Sequence, residues 1–153
     1  MTLYQKIHDF LENNKIDFNE SHHEAVFTSE QAAAARGNPL EEGAKALIFW
    51  ADNEPIQIVI NANKKVDKDI FKTLFGYSKL KMVSAEEVEQ IASVKPGAVP
   101  PFGILFENPI KVYANQELLK NEFIEFNAGD HSVSIRMKTN DWVKIVKPTI
   151  GEY

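Results

Sequence analysis

Gly97-Ala98-Val99-Pro100-Pro101-Phe102-Gly103 is the stretch on which the reading of this chain turns. Two glycines and a diproline within seven residues rule out a helix and make a poor interior strand. Proline lacks the N–H a ladder needs and pushes the residue before it toward an extended conformation. Glycines at both ends supply the dihedrals of a sharp loop and let another backbone or a ligand approach closely. A stiff loop with exposed amides suits a preformed pocket wall. Taken alone, it could equally be a connector between a helix and a strand.

Working outward, the chain reads as strands and helices mixed without strict alternation. Leu3, Ile7, Phe10 and Leu11 form the stripe of an amphipathic helix that frays at Asn13-Asn14. Residues 16–22 alternate loosely as a short strand. Thr28-Ser29-Glu30-Gln31 opens an alanine-rich helix that Gly37-Asn38-Pro39 stops. Residues 43–50 and 55–61 read as two strands joined by the turn Ala51-Asp52-Asn53-Glu54. Asp67 to Phe75 is helical, with Ile70, Phe71 and Leu74 as its apolar face and Gly76 closing it. Residues 80–83 form a short strand, and Ser84-Ala85-Glu86-Glu87 has capping-box spacing for the next helix. Beyond the diproline loop come strands near 104–106 and 110–113, a short helix near 115–120, and strands at 122–127 and 131–138. Thr139-Asn140-Asp141 caps a last helix carrying Trp142, Ile145 and Val146. The pattern predicts one α/β (α+β) domain over 1–153, a mixed, barrel-like curved sheet with flanking helices.

Composition narrows the function classes. The net charge of −5 argues against indiscriminate nucleic-acid binding, DNA included. The charge is unevenly spread, however. Residues 61–81 carry Lys64, Lys65, Lys68, Lys72, Lys79 and Lys81 against only Asp67 and Asp69, which permits contact with a few phosphates. The absence of cysteine excludes disulfides, thiolate metal sites and a cysteine nucleophile. No apolar run approaches the roughly 20 residues of a membrane span, and the N-terminus does not read as a signal peptide. A cytoplasmic protein is expected.

Lys45 and His131 are the candidate functional side chains. On a strand over 43–50, Lys45 shares a face with Leu47 and Phe49, while Ala44, Ala46, Ile48 and Trp50 occupy the other. A lysine on a strand apolar on both sides either snorkels to solvent or points into a partly dry cavity. His131 begins a strand that continues through Val133, Ile135 and Met137, after the flexible turn at Gly129. Asn127 lies across that turn and could orient a polar ligand. His22-His23-Glu24 lacks any metal-ligand spacing, so neither a metal nor another cofactor is expected. The chain also has no glycine-rich phosphate loop and no nucleophile elbow. Trp50 and Trp142 read as core aromatics.

Four stretches in register resemble the YbaK and prolyl-tRNA-synthetase-associated domain family of aminoacyl-tRNA deacylases. They are His23-Glu24-Ala25-Val26-Phe27-Thr28-Ser29-Glu30-Gln31-Ala32-Ala33, Gly43-Ala44-Lys45-Ala46-Leu47, the diproline loop, and Phe126-Asn127-Ala128-Gly129-Asp130-His131-Ser132 with Ser134-Ile135-Arg136-Met137. The resemblance implies a YbaK-like fold and hydrolysis of the ester joining a mistaken amino acid to the 3′ end of tRNA. Lys45 matches the family's essential lysine, Gly97 to Pro101 its pocket-wall loop, and His131 a pocket histidine of some members.

A free-standing chain of this length looks like a trans-acting editor. Its expected partners are mischarged aminoacyl-tRNA and an aminoacyl-tRNA synthetase. On this reading Lys45 holds a substrate oxygen, and amides near Gly97–Val99 stabilise the oxyanion. Pro100, Pro101, Phe102, Gly103, Asn127, Gly129 and His131 complete the pocket. Lys64, Lys65, Lys68 and Lys72 meet the tRNA. No general base announces itself in these motifs. The substrate is expected to be a small hydroxyl or small apolar amino acid, although Ala46-Leu47-Ile48 departs from the Asn-containing version associated with alanine editors. The alternatives are a non-catalytic tRNA-end or synthetase-binding module of the same fold, and a small-molecule binding domain unrelated to tRNA.

Overall fold

The computed structural model describes residues 1–25, 31, 34 and 37–153. The expected alanine-rich helix opening at Thr28-Ser29-Glu30 lies outside the described residues, apart from Gln31 and Ala34. The described elements are α1 (Leu3–Asn13), β1 (Phe18–His22), β2 (Ala44–Ala51), β3 (Glu54–Asn61), α2 (Lys68–Phe75), β4 (Leu80–Met82), α3 (Ala85–Ala92), β5 (Lys111–Asn115), β6 (Phe123–Asn127), β7 (Val133–Lys138), α4 (Thr139–Val146) and β8 (Thr149–Gly151). Short 3-10 turns occupy Leu40–Glu42, Gly103–Leu105 and Gln116–Lys120.

The strands form two sheets. One is five-stranded in the order β4-β2-β3-β5-β8, and the other is three-stranded in the order β1-β7-β6. Within the larger sheet β4, β2 and β3 pair antiparallel, whereas β3, β5 and β8 run parallel. An isolated parallel bridge between Gly43 and Glu125 joins the two sheets. The mixed α/β class is as expected. Its curved surface comes from two sheets meeting at that bridge, and it does not close into a barrel.

Period-two alternation decides which side of each strand meets the core. Ala44, Ala46, Ile48 and Trp50 of β2 face the main cluster, with Ile7 and Leu11 of α1, Phe102, Phe126, Ile135 and Trp142. Leu47, Phe49 and Ala51 face a second cluster built on Phe71 of α2 with Ile56, Ile58 and Tyr113. The β2–β3 hairpin turns at Asp52, which is left-handed at φ 55°. Its carboxylate accepts from the N–H groups of Ser78 and Lys79 at 3.0 and 2.9 Å.

Side chains cap the N-termini of α1, α2 and α3. Thr2 and Gln5 form a capping box on α1, and Ser84 and Glu87 form the expected one on α3. Asp67 caps α2, and Gly76 ends it in the left-handed region at φ 76°.

Four local expectations are corrected. Residues 103–105 form a 3-10 turn and not a strand, because the Gly103 N–H is taken by the Gln57 side chain and its carbonyl by Ile110. His131 lies in the turn before β7, which begins at Val133, so it does not share that strand's core face. Thr139 is the first helical residue of α4, and Lys138 occupies the cap position. On α2 only Phe71 is buried: Ile70 and Leu74 are 49% and 51% exposed, because the helix docks through its aromatic side.

Candidate active site

The site is built on the side of β6 and β7 that faces away from the core. Ile124, Phe126, Val133, Ile135 and Met137 fill the core side, leaving Glu125, Asn127, Ser134 and Arg136 on the other. An outer face of an antiparallel sheet is ordinarily wet. Here Glu125 is only 3% exposed and Ser134 only 2%. Polar groups at that depth need partners.

Those partners are specific. Arg136 Nη2 donates to the Glu42 carboxylate at 3.1 and 3.3 Å, and its Nε lies 3.3 Å from Glu125 Oε1. The guanidinium also stacks 4.0 Å over the Phe123 ring. Ser134 Oγ lies 2.7 Å from His23 Nε2. Asn127 Nδ2 donates to the Gly97 carbonyl at 2.8 Å. His131 Nε2 lies 3.0 Å from the Pro96 carbonyl, which can only accept, so that ring nitrogen carries a proton.

Lys45 joins this face through the sheet junction. Paired residues of a parallel bridge point to the same side, so the Gly43–Glu125 bridge puts Lys45, two residues on, on the side of Glu125 and Asn127. Lys45 is half-buried there, opposite Ile60 of β3.

The diproline loop divides in two. Gly97 is exposed, left-handed at φ 84°, and meets Asn127 and His131 at the margin of the polar face. Ala98, Val99, Pro100, Pro101, Phe102 and Gly103 are buried. The Pro100 carbonyl accepts from Gln57 Nε2 and the Pro101 carbonyl from Trp142 Nε1, so this half is anchored on the core side of the sheet. The Ala98 N–H is engaged by the Lys95 carbonyl. Among the described residues, the Gly97 and Val99 N–H groups have no acceptor.

Gly129, at φ 88°, shapes the turn after β6 and donates its N–H to the Ala98 carbonyl. In the same turn the Ser132 hydroxyl and N–H hold the Asp130 carboxyl below its usual value. The lysine run starts just after β3, whose last residue, Asn61, pairs with Ala44, so it begins beside the Lys45 end of β2. Lys65 and Lys68 are exposed, Lys64 pairs with Glu117 at 3.3 Å, and Lys72 pairs with Asp69 at 3.5 Å.

His23, Ser134 and Arg136 fall within stretches quoted from the sequence but were given no role there, and Glu125 was not singled out. Alternating polar residues at 125, 127, 134 and 136 carry a readable sign of a second polar face. Nothing local links His23 to Ser134.

The family model for the aminoacyl-tRNA editing domain matches residues 23–145, a range that holds every residue of this face. The chain belongs to the aminoacyl-tRNA editing domain family. It is 29% identical over 155 residues to the multifunctional Ser/Thr-tRNA deacylase ProXp-y of Escherichia coli (strain K12), covering 98% of this chain and 92% of that protein. It is 28% identical over 107 residues to the proline–tRNA ligase of Staphylococcus epidermidis (strain ATCC 12228 / FDA PCI 1200), covering 69% of this chain and 18% of the ligase.

Among solved structures, a proposed trans-editing enzyme for prolyl-tRNA synthetase superposes with a TM-score of 0.84 at 19% identity, over 99% of this chain and 96% of that one. The hypothetical protein APE2540 superposes at 0.87 and 19%, over 96% and 97%. These two likenesses are of fold. By family the chain is an aminoacyl-tRNA deacylase, a hydrolase of the ester that links a mistaken amino acid to tRNA. No helix among the described residues is long and apolar enough to cross a membrane.

Proposed function

We propose that this chain acts in trans in the cytoplasm, removing a small hydroxyl-bearing amino acid, serine or threonine first, from the 3′ end of mischarged tRNA. The observation that carries the reading is the buried polar face of β6 and β7, with Lys45 brought to its edge by the Gly43–Glu125 bridge. An activated ester needs less help than an amide, so positioning and electrostatics supply most of the catalysis. The Lys45 ammonium holds a ribose, phosphate or carbonyl oxygen of the substrate. The Gly97 and Val99 N–H groups receive the developing oxyanion.

The preference for a hydroxyl follows from the lining. A site that offers hydrogen bonds to a substrate OH rejects the analogue lacking it far better than an apolar pocket rejects an isostere. Asn127 is such a group, and the similar ProXp-y is described as a Ser/Thr-tRNA deacylase. Lys64, Lys65, Lys68 and Lys72 meet acceptor-stem phosphates, and a synthetase that releases the mischarged tRNA is the natural partner.

The test is a panel of mischarged tRNAs incubated with the protein and with Lys45→Ala. Seryl- or threonyl-tRNA is deacylated by the wild type, and Lys45→Ala loses about 10²-fold or more. Activity near wild type in the variant would remove Lys45 from the mechanism. Binding of charged tRNA without release would make the chain a tRNA-end-binding module.

A further inference from the structure

His23 and Ser134 are 111 residues apart in the chain and meet through a single 2.7 Å contact, His23 Nε2 to Ser134 Oγ. The other ring nitrogen, Nδ1, lies 2.7 Å from the Glu24 carbonyl oxygen. A carbonyl only accepts, so Nδ1 carries the proton. In the neutral ring Nε2 is then a lone pair, and the Ser134 hydroxyl donates to it. A hydroxyl against a base, with the base oriented by a third group, is the arrangement that prepares an oxygen to take up or pass on a proton.

The pair also stands in the right place. Ser134 is directly opposite Asn127 in the β6–β7 register and shares its face with Glu125 and Arg136. His23 extends the β1–β7 ladder by donating its N–H to the Ser132 carbonyl at 3.0 Å, which keeps its side chain on that same face. The charged or titratable groups around the pair include Glu125, Arg136 and Lys45 on the face, Glu42 against Arg136, His22 and Glu24 on either side in the chain with Glu20 against His22, and Asp130 and His131 in the adjoining turn. The single Arg136 guanidinium bridges two carboxylates, Glu125 and Glu42.

We propose that Ser134, backed by His23, is the proton acceptor for the attacking water, a role that rests on the deacylase reading of this face. The water oxygen bonds to the ester carbonyl carbon. Its proton passes to Ser134 Oγ as the Ser134 proton moves to His23 Nε2. Collapse of the tetrahedral adduct breaks the bond between the carbonyl carbon and the ribose oxygen. The proton then returns through Ser134 to that oxygen, leaving a free amino acid and a tRNA with its hydroxyl restored.

Single-turnover deacylation of the responsive mischarged tRNA, followed against pH, tests this with wild type, Lys45→Ala, His23→Gln, Ser134→Ala, Ser134→Thr and His22→Gln. His23→Gln and Ser134→Ala lower kcat by about 10²-fold with little change in KM, and His23→Gln loses the fall in rate at acid pH that the wild type shows. Ser134→Thr, which keeps the hydroxyl, recovers most of the rate. His22→Gln, whose ring pairs with Glu20 on the other side of β1, keeps the wild-type profile. Thermal melts confirm that each variant is folded.

If Lys45→Ala is inactive while His23→Gln keeps both its rate and its acid limb, the proton-acceptor role is wrong and the site stands. If Lys45→Ala is fully active, the site itself is wrong. An aminoacyl adduct on Ser134 in quenched reactions would also overturn the proposal, because the serine would then be the nucleophile.

Discussion

Gly43 and Glu125 pair as an isolated parallel bridge, and through it the outer side of one sheet runs into the outer side of the other. Lys45 belongs to the first sheet, and Glu125, Asn127, Ser134 and Arg136 belong to the second. These five side chains are all carried on strands. Rigid strands position them, which favours the fixed geometry that electrostatic catalysis requires.

Gln57 makes the first test of how the diproline loop is held. It is fully buried, donates Nε2–H to Pro100 at 3.0 Å and accepts the Gly103 N–H at 2.9 Å. Gln57→Leu keeps much of the volume and strands the Gly103 N–H, at about 1–3 kcal/mol, while the Pro100 carbonyl keeps the Phe102 N–H at 2.8 Å. Urea unfolding should show a loss of about 1–3 kcal/mol. A loss below about 0.5 kcal/mol, the ordinary scatter of surface substitutions, would mean the clamp is idle.

Gly97 tests the exposed half of the loop. Its φ of 84° strains any other residue, and an added Cβ would sit 3.1 Å from His131 Nε2. Gly97→Ala should cost about 1–2 kcal/mol and reduce deacylation by displacing His131 from Pro96. Adding His131→Ala relieves the contact but not the strain. The double variant should therefore be more stable than the sum of the single changes, a coupling that a double-mutant cycle measures.

Asp130 gives a pH prediction. Hydrogen bonds from Ser132 lower its folded-state pKa below the unfolded value. Such a group stabilises the fold above its unfolded pKa of about 4, and the contribution disappears as pH falls through the lower folded value. Wild type should exceed Asp130→Asn in Tm at pH 6, and the gap should narrow as pH falls below the unfolded value of about 4. A gap that widens in acid would contradict the assignment.

Lys65 and Lys68 are the exposed members of the proposed tRNA contact. Lys65→Ala with Lys68→Ala should weaken tRNA binding and flatten its dependence on log salt by about 0.7–0.9 per lost phosphate contact. An unchanged slope would place the tRNA elsewhere.

Much of the fold is legible in residue patterns. Alternation in β2, the Ser84–Glu87 capping box and Gly76 all announce their elements, because each depends on local stereochemistry. What escaped local reading depends on tertiary pairing. The 104–106 segment is apolar enough for a strand, yet Gln57, 46 residues before Gly103, holds the Gly103 N–H, and the N–H groups of Leu105 and Phe106 turn back to Phe102 and Gly103. β8 is three residues long and exists by pairing with β5. The site shows the same division. Lys45, the loop and His131 could be given roles from their motifs, whereas His23 and Ser134, each within a quoted stretch, come together only when β1 is laid along β7.

Alternation along β2 also constrains chain length. Adjacent residues there face opposite ways, Ala44 into the main core and Lys45 onto the polar side. Inserting or deleting a single residue between the Gly43 bridge and Lys45 would rotate the amine toward the main apolar cluster that Ala44 faces and bring a small apolar side chain out in its place. Frame-preserving indels in this short segment should therefore inactivate as completely as loss of the lysine, and they should destabilise as well, because a buried ammonium finds no counter-ion among those side chains.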